Sequence, residues 1–292
     1  MGIGAMKRKL LFGLTVLTGL AWAGSGAEAS TINVLWYTGG VGDTTGGTTA
    51  YDSTISALAA PQAGDPAGAA TANWNITFWN GGTVPGGSFA DYNVLVVASP
   101  EGPWSPNPSY SAIEASGLSA GSFGSRVMLT GQDADWHVNN YPGATSFDGP
   151  RGFLRDAVSW AGSGTGLGLV DLGQDGNGGC SGGPNFGFTG FTTVCAGENN
   201  VQIPPTEASF PINGGLDSAG LSGWNTSAHV QFTGLSSAWN GINLSGDFPG
   251  NYVTIVSAGT ASGGTSGVPE PASLLVLASG LAGLGLMRRR RA

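Results

Sequence analysis

Apolar residues fall into short blocks along this chain, and the spacing inside each block predicts the element it builds. Ile32-Asn33-Val34-Leu35-Trp36-Tyr37 is a run of β formers ending at Gly39-Gly40, which predicts a buried first strand. Tyr51, Ile55 and Leu58 recur at i, i+4 and i+7 before Pro61, which predicts a helix. Asn75 to Trp79 reads as a second strand and Asn93 to Ala98 as a third. The third lacks polar alternation, as a strand covered on both faces of a parallel sheet would. Tyr110 to Ser116 predicts a short helix, and Arg126 to Thr130 a fourth strand that runs into Gly131-Gln132-Asp133. Asp148-Gly149-Pro150 opens a helix whose apolar face is Phe153, Leu154, Ala157, Val158 and Ala161. Leu167 to Leu172 is a fifth strand. Strand–helix alternation of this kind predicts an α/β domain with a doubly wound, mostly parallel sheet, flavodoxin-like in outline. Beyond Gly173 the pattern fades. Residues 173–200 read as a loop insertion, and Val201 to Asp247 as mixed, with short strands at His229 to Phe232 and finally at Tyr252 to Ser257.

The two ends have their own patterns. Lys7, Arg8 and Lys9 precede the apolar stretch Leu10 to Ala23, and Ala27-Glu28-Ala29 offers a small-residue cleavage site, with Ala21-Trp22-Ala23 as a weaker one. Residues 1–29 thus predict a secretory signal peptide, which signal peptidase removes. At the other end Val268-Pro269-Glu270-Pro271 is followed by the uncharged run Ala272 to Met287 and then Arg288, Arg289, Arg290 and Arg291. The run predicts a single short hydrophobic helix, below the ~20 residues of a comfortable span. The four arginines would hold its end on the cytoplasmic side of a membrane. The resulting organisation is a signal peptide (1–29), an α/β body (30–257), a Gly/Ser/Thr linker (258–267) and a C-terminal signal (268–292).

That tripartite tail, a Pro-Glu-Pro box, a short Gly/Ala/Leu-rich helix and terminal arginines, resembles the PEP-CTERM sorting signal of Gram-negative bacteria. The resemblance implies recognition by an exosortase while the tail sits in the inner membrane. Cleavage near Pro269-Glu270-Pro271 would follow, with delivery of the body to the cell surface or the exopolysaccharide matrix. The body shows a second, less specific resemblance, carried by short apolar motifs. Ile32 to Tyr37, Val94 to Ala98, Arg126 to Gly131 and Phe210-Pro211-Ile212-Asn213-Gly214-Gly215-Leu216 are similar to segments of glutamine-amidotransferase-like domains, in particular the ThuA-like branch. Phe210 stands where that branch often has a histidine.

Charge narrows the partners. Between the end signals only Arg126, Arg151 and Arg155 are basic against sixteen acids, so the body carries −13. Such a body repels nucleic acid and anionic lipid. Cys180 and Cys195 are the only cysteines, and in an oxidising compartment they predict a disulfide closing a loop of about 15 residues, worth roughly 3 kcal/mol at best.

The densest candidate chemistry is Asp133-Ala134-Asp135-Trp136-His137, just past the fourth strand, where open α/β sheets bind ligands. Two carboxylates and an imidazole at i, i+2 and i+4 suit acid–base work or a divalent cation, or simply a helix cap and a packed histidine. His229 is the only other histidine, and joins the site if the fold brings it to His137. Amidotransferases carry a nucleophilic cysteine at this turn. Gly131-Gln132-Asp133 has neither Cys nor Ser, which argues against that chemistry. Gly40 to Thr45 nearly matches a dinucleotide fingerprint but has Thr45 in place of the last glycine, and Asp171 to Asn177 echoes a calcium loop without its spacing. Trp104, Trp136, Tyr141, Trp224 and Trp239 fall in predicted loops, where rings either stack on sugars or fill the core. The expected function is therefore that of an exported, surface- or matrix-bound protein. Its body is more a binding or structural domain than an enzyme, no cofactor is called for, and exopolysaccharide is the available ligand. A hydrolase-like or metal-dependent site at Asp133, Asp135 and His137 is the alternative.

Overall fold

The computed structural model describes residues 31–40, 50–60, 72–100, 109–140, 149–172, 180, 183–224 and 226–258. The expected signal peptide, the linker beyond residue 258, the sorting signal and its short helix lie outside these residues. So do the Gly40-to-Thr45 turn past Gly40 and the calcium-like segment past Leu172.

The elements run β1 (Ile32–Tyr37), α1 (Ala50–Ala57), β2 (Trp74–Trp79), β3 (Val94–Val97), α2 (Ser111–Ala115), β4 (Val127–Thr130), α3 (Ala134–Asn140), α4 (Pro150–Gly162), β5 (Gly168–Asp171), β6 (Thr192–Glu198), β7 (Val201–Gln202), β8 (Ala228–Thr233), β9 (Trp239–Ser245) and β10 (Tyr252–Ser257). They build one mixed sheet in the order β2-β1-β3-β5-β4-β10-β8-β6, with β9 also on β10 and β7 on β9. The pairings β1–β2, β1–β3, β3–β5 and β4–β5 are parallel. Those of β10 with β4, β8 and β9, and of β6–β8 and β7–β9, are antiparallel.

This corrects the expectation of a mostly parallel sheet. The parallel half ends at β4, and β6 to β10 add an antiparallel half. The order of the parallel strands, β2-β1-β3-β5-β4, also exchanges the last two relative to the flavodoxin order. The insertion expected at 173–200 contains β6, and the mixed region contains β7 and β9 as well as the expected β8. Hydropathy hides these strands for a physical reason. β6 reads Thr-Thr-Val-Cys-Ala-Gly-Glu, mostly small side chains with Val194 as its one branched aliphatic residue. β9 buries Asn243 and Ser245, whose polar groups are bonded inside: Asn243 Nδ2 donates to Asn213 Oδ1 at 2.8 Å, and Ser245 Oγ donates to Glu198 Oε2.

The parallel half follows from its sequence. β3, β4 and β5 are buried along their whole length, as continuous apolar runs must be. In β1, Val34 and Trp36 enter a core shared with Tyr51, Ile55 and Leu58 of the first helical segment and with Phe153, Leu154 and Ala157 of α4. Leu35 and Tyr37 enter the opposite core, with Tyr110, Ile113 and the aromatic group Phe186, Phe188 and Phe191. α4 starts at Pro150 in its first turn, as predicted. At its far end Arg126 donates to Trp160 O at 2.7 Å and lies 5.7 Å from the Trp160 ring centre, a cation placed against helix C-terminal carbonyls. The Cys180–Cys195 disulfide is present and anchors the approach to β6 (Cα–Cα 5.1 Å).

The two halves meet along the β4–β10 pairing, and the seam continues at Gly131, directly after β4. Its N–H donates to Val253 O of β10 at 2.8 Å, and its carbonyl accepts from His229 N of β8 at 2.8 Å. A Cβ at this position would lie 1.8 Å from Val230 O, so only glycine permits β8 to close on the end of β4. Gly131→Ala should therefore destabilise the protein by at least ~2 kcal/mol. A urea midpoint matching the wild type would contradict this packing.

Candidate functional site

Asp133 is the centre of the candidate site. It lies at the start of α3, where its carbonyl accepts from Trp136 N at 3.0 Å and His137 N at 3.3 Å. Its carboxylate faces two imidazoles. His137 Nε2, one helical turn on, is 3.2 Å from Oδ1, and His229 Nε2, from β8, is 3.4 Å from Oδ2. The fold therefore brings together three of the four residues singled out from sequence. The helix supplies the i, i+4 pair, and the Gly131–His229 main-chain bond supplies the third member.

His137 is buried, with Trp136 edge-on at 4.5 Å and Trp224 at 5.3 Å between ring centres. Its Nε2 also lies 3.1 Å from Thr226 O. Two acceptors around one nitrogen place the proton on Nε2. Asp133 is 3% exposed in its side chain, whereas His229 is 26% exposed and is the member of the group that reaches solvent.

Asp135 does not join this group. It is fully buried and points to the parallel half. Its Oδ2 accepts from Tyr51 Oη at 2.7 Å and from Ser99 N at 3.0 Å, and Tyr51 Oη in turn accepts from Trp36 Nε1 at 3.0 Å. Its Oδ1 has no partner among the described residues. The network spans β1, the first helix and the end of β3, at the switch point where the chain turns from β2 to the other side of β1. Sequence reasoning missed Tyr51, Ser99 and Trp36. The available signal was that a buried tyrosine or indole needs a partner for its polar end.

The two carboxylates are pushed in opposite directions. Burial alone would raise Asp133, but His137 and then His229 outweigh it and hold Asp133 below the usual carboxylate range. Burial raises Asp135 in spite of the hydrogen bonds from Tyr51 and Ser99. Burial likewise raises Tyr51 well above its ordinary value, and the neighbouring Asp135 adds to the effect. On α4, burial lifts Asp156 to about 7, with Arg155 opposing.

An ionised Asp133 beside two imidazoles can orient the His229 ring. The turn Gly131-Gln132-Asp133 adds no nucleophile. Among the described residues no set of three or more His, Cys, Asp or Glu is placed to hold a metal ion. Asp171 of the calcium-like segment is buried at the end of β5. The aromatic residues expected in loops divide. Trp224 and Trp239 are buried, the latter on β9 against Phe188 and Phe191, while Trp136 is half-buried. Trp104 and Tyr141 lie outside the described residues. Trp224 and Trp239 thus fill the core and offer no sugar platform.

Comparison with known proteins adds one finding. Residues 267–291 match the PEP-CTERM protein-sorting motif. The motif indicates a protein sorted by exosortase to the cell surface. No curated protein and no solved structure matches the chain. No helix among the described residues is long and apolar enough to cross a membrane.

The pH dependence of stability follows from the burial. Asp133 binds its proton less tightly folded than unfolded, so its contribution is present above the ordinary carboxylate value of 3.8 and is lost as pH falls through the lower folded value. Asp156 has the opposite sign. Its folded value near 7 against an ordinary 3.8 means that stability falls as pH rises between the two, by roughly 4 kcal/mol at most. Asp156→Asn should raise the denaturation midpoint at pH 8 and leave it nearly unchanged at pH 4. Equal effects at both values would show that Asp156 is not buried as charge.

Proposed function

We propose that the chain is exported by a signal peptide spanning residues 1–29 and paused in the inner membrane of a Gram-negative bacterium by its C-terminal helix. An exosortase then cuts near Pro269-Glu270-Pro271, and the body is left at the cell surface or in the exopolysaccharide matrix. The single observation that carries this reading is the sorting motif at residues 267–291. The body, residues 30–257, serves there as a non-catalytic binding or structural domain. Burial supports this role, because Asp133, Asp135 and His137 are enclosed and their hydrogen bonds tie secondary-structure elements together. A glutamine-amidotransferase-like ancestry for the parallel half fits a scaffold in which the nucleophile's place is taken by Gly131-Gln132-Asp133. Phe210, in the histidine's place, packs on Trp160 with 5.6 Å between ring centres.

A second reading is favoured by the arrangement of Asp133 and His229, in which a buried carboxylate backs a partly exposed imidazole, the geometry of an oriented general base. Under it, the purified protein hydrolyses an ester, phosphoester or glycoside in a chromogenic panel, and His229→Gln abolishes that turnover while the fold is kept. Absence of turnover across the panel leaves the binding role.

The sorting proposal is tested by intact-mass spectrometry of protein recovered from its host's cell surface. The expected mass begins at Ser30 and ends near Pro269 to Pro271. A mass retaining Arg288 to Arg291 would make the tail a permanent anchor and overturn the processing step.

A further inference from the structure

The edge of the sheet at β2 has no second partner strand among the described residues. β2 pairs with β1 alone, in register from Trp74 to Trp79 without a bulge. Its odd-numbered residues face β1 through the backbone: Asn73 O accepts from Ile32 N at 2.8 Å and Trp79 O from Thr38 N at 2.9 Å. Strand geometry then turns the N–H and C=O of Ile76 and Phe78 outward. Among the described residues nothing pairs with them. The indole N–H groups of Trp74 and Trp79 on the same strand are buried and likewise lack an acceptor among the described residues.

Natural sheets guard such an edge with charge, proline or a bulge. The opposite end of this sheet has such protection, since β6 has a register shift between Cys195 and Glu198 and is tied by the disulfide. β2, Trp-Asn-Ile-Thr-Phe-Trp, has none of these devices. Charge selects the occupant. The body carries −13, yet no charged residue occurs from Pro66 to Ala90. This is a stretch where two copies can approach without opposing carboxylates.

We propose that β2 pairs with β2 of a second copy of this chain, antiparallel about a two-fold axis at Thr77. Ile76 of each copy then exchanges both main-chain hydrogen bonds with Phe78 of the other, Thr77 faces its own counterpart, and the interface is self-complementary. A single short strand gives a small contact, so the dimer dissociates on dilution.

Light scattering coupled to size exclusion, on the protein as its host accumulates it, tests the proposal. The expected result is a mass that doubles as concentration rises. In Thr77→Lys, which sets two ammonium groups opposite each other, the mass stays at the monomer value while circular dichroism is unchanged. Amide exchange supplies a readout that needs no variant: the Ile76 and Phe78 N–H groups gain protection in the dimer and lose it on dilution. A wild type that is monomeric at every concentration, or a dimer in which Ile76 and Phe78 exchange as fast as in the monomer, would overturn the proposal.

Discussion

The parallel and antiparallel halves of this body join along β4, which pairs parallel with β5 and antiparallel with β10, and the close approach of β8 to the end of β4 extends that join. Gly131 permits the approach by donating to β10 and accepting from β8 with no side chain in the way. The contact then sets the chemistry nearby. His229 is carried to Asp133 by the same main-chain bond, and His137 reaches it from one turn along α3. The seam is polar beyond this point too. Thr130 and Thr254 share a hydrogen bond of 2.9 Å between β4 and β10, and Thr254 donates to the buried Gln132 at 3.1 Å. Pairings of this kind fix register, because a slip by one residue would strand several buried polar groups at once.

The same logic explains how a chain so poor in basic residues buries so many acids. Asp133 is held by imidazoles, Asp135 by a phenol and a backbone amide, and Glu198 by Ser245 and the N–H groups of Asn200 and Asp247. The hydrogen-bond donors are neutral groups or histidine. The body thereby keeps a strongly acidic composition without relying on lysine, as suits a domain whose sorting motif directs it to the cell surface.

The parallel half was legible in the sequence because its strands are continuous apolar runs and its main helix has a clean apolar face. β1 and β10 were placed to the residue, and β3, β4, β5 and α4 within one or two. The antiparallel half was only partly legible. β6 and β9 are stabilised by partners distant in sequence, so their polar residues look like loop residues until Glu198, Asn213 and Gln231 are seen beside them. The site was legible in its members but not in its grouping. Sequence put Asp133, Asp135 and His137 together by adjacency, whereas a helix starting at Ala134 turns Asp135 toward Tyr51 and leaves His229 as the true third member.

The most direct test is a double-mutant cycle on Asp133→Asn and His229→Gln, read by equilibrium unfolding in urea at neutral pH. If Asp133 and His229 join the two halves, the cycle should return a coupling of about 1–2 kcal/mol. Additive effects, within ~0.5 kcal/mol, would mean that the halves are held by the β4–β10 ladder and the main-chain bonds of Gly131, and that the pairing of Asp133 with His229 contributes nothing to the fold.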